Sequence, residues 1–96
     1  MANETLLAAV KLSLGGIRHN ALDDDIQEVI NACKLDLKTA GVRIVDETDA
    51  LIRQAVKLYS RSYFNYQGDG ARYGAAYAAL KDSLAMCGDY NAPPNQ

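Results

Sequence analysis

Apolar residues recur every three or four positions in four stretches of this chain, and the stretches are separated by glycine, asparagine and aspartate. The first covers 4–14: Leu6, Leu7, Val10 and Leu14 follow Asn3, a candidate N-cap, and the run stops at Gly15-Gly16. A second helix is predicted over 21–40. Asn20 followed by Asp23 fits a capping arrangement, and Asp23, Asp24 and Asp25 fall in a first turn, where the helix dipole favours negative charge. Its stripe of Leu22, Ile26, Val29, Ile30, Cys33 and Leu37 keeps helical spacing up to Gly41, a C-terminal stop. Val42 to Glu47 alternates like a strand, but one strand alone would have no partner, so it reads as a loop.

Thr48 is the candidate N-cap of a third helix over 49–65. Its face of Ile52, Ala55, Val56, Tyr59 and Tyr63 is widened by Leu51 and Leu58, which marks it as the central helix. The link from Asn65 to Gly70 is rich in turn formers and leads to a fourth helix over 71–87. Tyr73, Ala76, Tyr77, Leu80 and Leu84 define that helix, and its alanines would let a neighbour approach closely. Helix cannot continue through Pro93-Pro94, so 89–96 is expected to be a mobile tail. The fold class expected is all-α: one domain over 1–96, a small bundle of four helices.

Charge sharpens this picture. The chain carries a net charge of −2, which argues against a surface that holds phosphate backbones, since such domains show a basic excess. The distribution is uneven: 21–50 sum to −5, whereas 51–96 sum to +2. An acidic and a basic region in one small domain suit head-to-tail contacts between copies, although two solvated faces would look the same. Cys33 falls on an apolar face and reads as a reduced, packed thiol, so an intracellular origin is expected. The run Leu6 to Val10 is broken by Lys11 and preceded by Glu4, which fits neither a signal peptide nor a membrane-spanning helix.

Candidate chemistry is sparse. His19 stands in a loop without the partners that a triad or a metal site needs. Consecutive residues on a helix diverge by about 100°, so Asp23, Asp24 and Asp25 cannot converge on one ion. The loop around Gly68-Asp69-Gly70 lacks the ligand pattern of a calcium site, and Gly15-Gly16 lacks phosphate-binding spacing. No catalytic, cofactor or metal site is expected. The six tyrosines carry more information, because with so few interleaved cations they suit core or protein-interface packing better than nucleic-acid stacking.

Three segments together resemble the small head-tail connector proteins of tailed bacteriophages, also described as head-completion or DNA-packaging adaptors. These are the run from Asp49 through Tyr59 to Tyr63-Phe64, the run Tyr73-Gly74-Ala75-Ala76-Tyr77 continuing to Leu84, and the closing Gly88-Asp89-Tyr90-Asn91. The short leading helix and the Asp23-Asp24-Asp25-Ile26 start of the next are similar too. The resemblance implies a virion protein made in the bacterial cytoplasm, without catalysis. It implies a homo-oligomeric ring, commonly twelvefold, that sits under the portal protein and extends the DNA channel. The ring offers a docking surface to the stopper or tail; DNA passes through without sequence-specific binding, and no membrane is involved. Tyr63, Phe64, Tyr66, Arg72, Asp89 and Tyr90 are the candidate protein-interface residues, and the loop residues Tyr66, Gly68 and Asp69, together with the tail from Asp89 to Gln96, are expected to order on contact with the portal or the next connector. The alternative is a small helical DNA-binding or regulatory module, with the second and third helices as a helix-turn-helix. Against it stand the long link from Gly41 to Thr48 and the apolar face of the third helix.

Overall fold

The computed structural model describes residues 5–43 and 45–91, the last of these in its backbone alone. Four helices and two short helical turns make up its regular structure, and no strand occurs among the described residues. Thr5 starts α1 (Leu6–Ser13), its hydroxyl accepting from the Ala8 amide at 3.1 Å; Asn3 lies outside the described residues. Leu6, Ala9 and Val10 are buried, while Leu12 on the far side is exposed. The helix stops where Gly15 turns to φ +95°, a conformation that a side chain would resist.

The second helix, α2 (Asp23–Thr39), begins without a side-chain cap, and Asn20 contributes only its carbonyl, which accepts from the Asp23 amide at 3.3 Å. Its expected stripe is buried from Ile26 through Val29, Ile30 and Cys33 to Leu37, whereas Leu22 is partly exposed. Gly41, at φ +107°, ends it: the Val42 amide reaches back to the Leu37 carbonyl at 2.9 Å and the Gly41 amide to Lys38 at 3.1 Å. Val42 and Leu37 are both fully buried, so the apolar contact that accompanies this type of helix end is in place.

Asp49, not Thr48, caps α3 (Ala50–Tyr63), its carboxylate accepting from Leu51 and Ile52 at 2.8 and 3.3 Å. Thr48 instead gives its amide and hydroxyl to Asp46, at 2.9 and 2.7 Å. Both residues carry a capping oxygen, and the turn at Asp46 decides which one faces the helix. The central place expected for α3 is observed, since it packs on α1, α2 and the following α4 (Gly70–Met86). Ile52, Ala55, Val56 and Ser60 are buried, but Leu51 and Tyr63 at the edges of the wide stripe are exposed.

Between α3 and α4 the chain turns through Asn65 and Gln67, both at positive φ, and through the 3-10 turn Tyr66–Gly68. Asn65 closes α3 and its side chain also accepts from the Gly70 amide at 2.8 Å, the first N–H of α4. The close approach of α3 and α4 is made by glycine rather than alanine. A β-carbon on Gly70 would lie 3.0 Å from the Ser62 carbonyl, and one on Gly74 would lie 2.9 Å from the Ser62 hydroxyl. Ala76, read from sequence as part of the buried face, is exposed, as are Ala71, Ala75, Ala78 and Ala79. Only Gly70, Tyr77 and Leu84 of α4 are fully buried.

A last turn, α5 (Gly88–Asn91), folds back over the start of α3. The Tyr90 hydroxyl bridges both oxygens of Asp49 at 3.0 and 2.9 Å, and the Arg43 amide donates to the Tyr90 carbonyl at 2.8 Å. The part of the expected tail from 89 to 91 is therefore packed on the bundle, and 92–96 lie outside the described residues. No helix of the described residues is long and apolar enough to cross a membrane.

Candidate functional site

Tyr63 and Phe64 end α3 as an edge-to-face pair, with ring centroids 5.0 Å apart and planes at 77°. On one side of them lies an open groove of about 380 Å³. Asp25, Glu28, Val29 and Ala32 of α2 line it opposite Tyr59, Tyr63 and Phe64. The α2 residues fall at i, i+3, i+4 and i+7, one helical face, and Tyr59 and Tyr63 are one turn apart on the facing helix. Phe64 is also a wall of a second groove of about 270 Å³, completed by Leu14, Ile17, Leu22 and Tyr66 among others. The three first-turn acids of α2 diverge as expected: Asp23 pairs with Lys11 at 2.7 Å, while Asp25 faces the aromatic groove.

Beside Tyr66 the Arg61 guanidinium lies between two rings, 5.4 Å from the centroid of Tyr66 and 5.3 Å from that of Tyr73. It also donates to the Ser13 carbonyl at 3.0 Å, which ties the end of α1 to the α3–α4 corner. Arg72 stands outside this cluster, 5.6 Å from the Tyr73 centroid and 3.4 Å from Asp69, with its side chain 74 % exposed. The six residues singled out from sequence thus divide. Tyr63, Phe64, Tyr66 and Arg72 gather at the corner after α3, while Asp89 and Tyr90 sit by Asp49 at the other end of that helix, about 20 Å away along its axis. Tyr90 is committed to an internal contact, and hydrogen bonding to the Asp49 carboxylate pushes its phenol above the ordinary range.

A polar chain that the sequence did not suggest links α2 to α4. The Cys33 thiol lies 3.8 Å from the Tyr77 hydroxyl, which donates to Asp36 at 2.6 Å; Lys81 donates to the same carboxylate oxygen at 3.0 Å. The Tyr77 ring packs edge-on against Tyr59 with centroids 5.1 Å apart, so the hydroxyl is held in place from both sides. Burial pushes the Cys33 thiol up to about 12. The Asp36 carboxyl is held below the usual range, chiefly by the Tyr77 hydroxyl and then by Lys81. Tyr77 itself is raised by burial and by the hydrogen bond that its hydroxyl donates to the Asp36 carboxylate. Among the described residues no three His, Cys, Asp or Glu side chains gather as a metal site requires.

Of the groove's acids, Asp25 was visible in the sequence as helix-start charge and Glu28 only as part of the acidic stretch over 21–50. The signal that Asp25, Glu28 and Val29 share one face was present in their spacing, but which face of α3 meets it is a tertiary fact. Comparison with protein-family models, with curated proteins and with solved structures finds no match for this chain.

Proposed function

We propose that this chain is the subunit of a head-tail connector ring of a tailed bacteriophage, a structural adaptor that extends the DNA channel below the portal and docks the stopper or tail. The observation that carries the reading is the way the three segments of the resemblance meet. Residues 49–64 form α3, 73–84 lie in α4, and 88–91 return to the first of them through the Tyr90–Asp49 bridge. Together they are one closed unit, which presents an exposed aromatic ring at Tyr63, beside a Phe64 that is half-buried against the core. The acidic stretch over 21–50 suits a channel through which phosphate slides without adhering. A helix-turn-helix would need α3 free to enter a groove of DNA, and its packing on three other helices weighs against that alternative.

Co-expression with the cognate portal, followed by electron microscopy of the purified vertex, tests the reading. A ring of this chain on the portal, commonly of the portal's symmetry, is the expected result. A chain that ignores portals, or that holds duplex DNA tightly at physiological salt, overturns it. Truncation is best placed after Asn91, because removing 89–91 also takes away the Tyr90 contacts of the fold itself. The truncated chain should stay helical and attach more weakly to the portal; unchanged attachment removes the tail from the interface.

A further inference from the structure

The groove between α2 and the end of α3 combines two features that select a cation. Asp25 and Glu28 line it, and neither carboxylate has an ion pair or hydrogen bond among the described residues. Tyr59, Tyr63 and Phe64 present rings from the other side, and the Tyr59 and Tyr63 hydroxyls have no partner there either. Ring faces attract a guanidinium more readily than a strongly hydrated ammonium, and unpaired carboxylates supply the counter-charge. Phosphate would be repelled, and a small inorganic cation would gain nothing from the half-apolar walls. The groove suits an arginine set among apolar neighbours.

The chain itself carries such an arginine. Arg72, Ala75, Ala76 and Ala79 follow one another at helical spacing along the outside of α4, and all are exposed. Charged residues are scarce on that helix, and Lys81 is turned inward to Asp36. Alanines of this kind let a helix settle deep between two others, and Arg72, with its side chain 74 % exposed, is held by two loose contacts on its own helix start, Asp69 at 3.4 Å and the Tyr73 ring at 5.6 Å. The groove and the α4 face are different surfaces, so their union is head-to-tail and propagates into a ring or a filament.

We propose that the outer face of α4 of one copy docks in the acidic aromatic groove of the next, with Arg72 between Asp25, Glu28 and the rings of Tyr59 and Tyr63. The contact rests on the reading of this chain as a self-assembling subunit and names the surfaces that join its copies.

Sedimentation velocity of the full chain, taken up to about 1 mM, tests it without the portal. Concentration-dependent association is expected, weakened roughly three- to thirtyfold by Arg72→Ala, the range of an exposed cation–π contact plus an exposed ion pair. Arg72→Glu and Glu28→Lys should each suppress association, and mixing the two variants should restore it, because each then offers the charge that the other's altered surface requires. Arg18→Ala, at an exposed cation outside both surfaces, should change nothing. These sites are exposed, and circular dichroism checks that the variants stay folded. A monomer at every concentration, association indifferent to the charge reversals, failure of the mixture to recover, or an equal effect of Arg18→Ala each overturns the contact. Saturable binding of an arginine peptide in the groove of a chain that remains monomeric would do so as well, and would assign the groove to another protein. A failed self-contact with an intact portal ring overturns this inference alone; a working self-contact with no affinity for portals overturns the connector reading alone.

Discussion

Replacing Gly70 by alanine should destabilise the fold, whereas the same change at Gly74 should not, although both glycines lie in the same helix. In an exposed helix interior, glycine to alanine gains about 1 kcal/mol. At Gly74 the added methyl would stand 2.9 Å from the Ser62 hydroxyl, the end of a rotatable side chain with no other close neighbour within 3.4 Å. Rotation of Ser62 relieves the clash, so Gly74→Ala should be neutral or up to about 1 kcal/mol more stable. At Gly70 the methyl meets the Ser62 carbonyl at 3.0 Å, the Asn65 α-carbon at 3.1 Å and the Asn65 side-chain oxygen at 2.6 Å. Two of these are backbone atoms held by the end of α3, and the third is the acceptor that caps α4. Overpacking costs about 1–3 kcal/mol and the lost cap about 1 kcal/mol, against a propensity gain that is small at a first-turn position. Gly70→Ala should therefore destabilise by about 2–3 kcal/mol, which for a chain of this length lowers the melting temperature by roughly 10–20 °C. Urea titration followed by circular dichroism measures both variants against the parent. A Gly70→Ala variant as stable as the parent, or a Gly74→Ala variant that is the worse of the two, would refute this assignment of the close contact. Adding Ser62→Ala to Gly74→Ala should remove whatever penalty remains at that site.

Further outcomes follow from the polar contacts. In a double-mutant cycle, Tyr77→Phe and Asp36→Ala should show a coupling of about 1 kcal/mol, modest because the Asp36 carboxylate is partly open to water; coupling within error of zero would discard the link between α2 and α4. Asp36 is held below its ordinary range, so its contribution is present above about pH 4 and lost as the pH falls through its folded-state value. Tyr90 is raised, so its contribution is present below about pH 10 and lost as the pH rises through its folded-state value. Urea midpoints across pH should be level between these limits, and Tyr90→Phe should remove part of the alkaline loss but none of the acid loss. Alkylation of the native protein should label Cys87 first, because the Cys33 thiol is buried and raised to about 12; equal labelling rates would mean that the core opens far more often than its packing implies.

Helical periodicity alone determined that this chain is a bundle of four helices, and in α2 it also determined which side chains are buried. Isoleucine, valine and leucine at i, i+3, i+4 and i+7 have one economical placement, and a glycine that must take positive φ marks where α2 stops. Residues with two acceptable placements were not settled that way. Alanine fits core and surface equally, so only the packing of α4 shows that Ala75, Ala76 and Ala79 face outward while Gly70 and Gly74 bear the close contact. Thr48 and Asp49 both carry a capping oxygen, and the turn at Asp46 chose between them. The candidate groove, the Cys33–Tyr77–Asp36 chain and the Tyr90 anchor on Asp49 join residues about 30 to 45 positions apart, which local pattern cannot register. Their partners are set when amphipathic helices choose which faces to bury against one another, and that choice belongs to the folded whole.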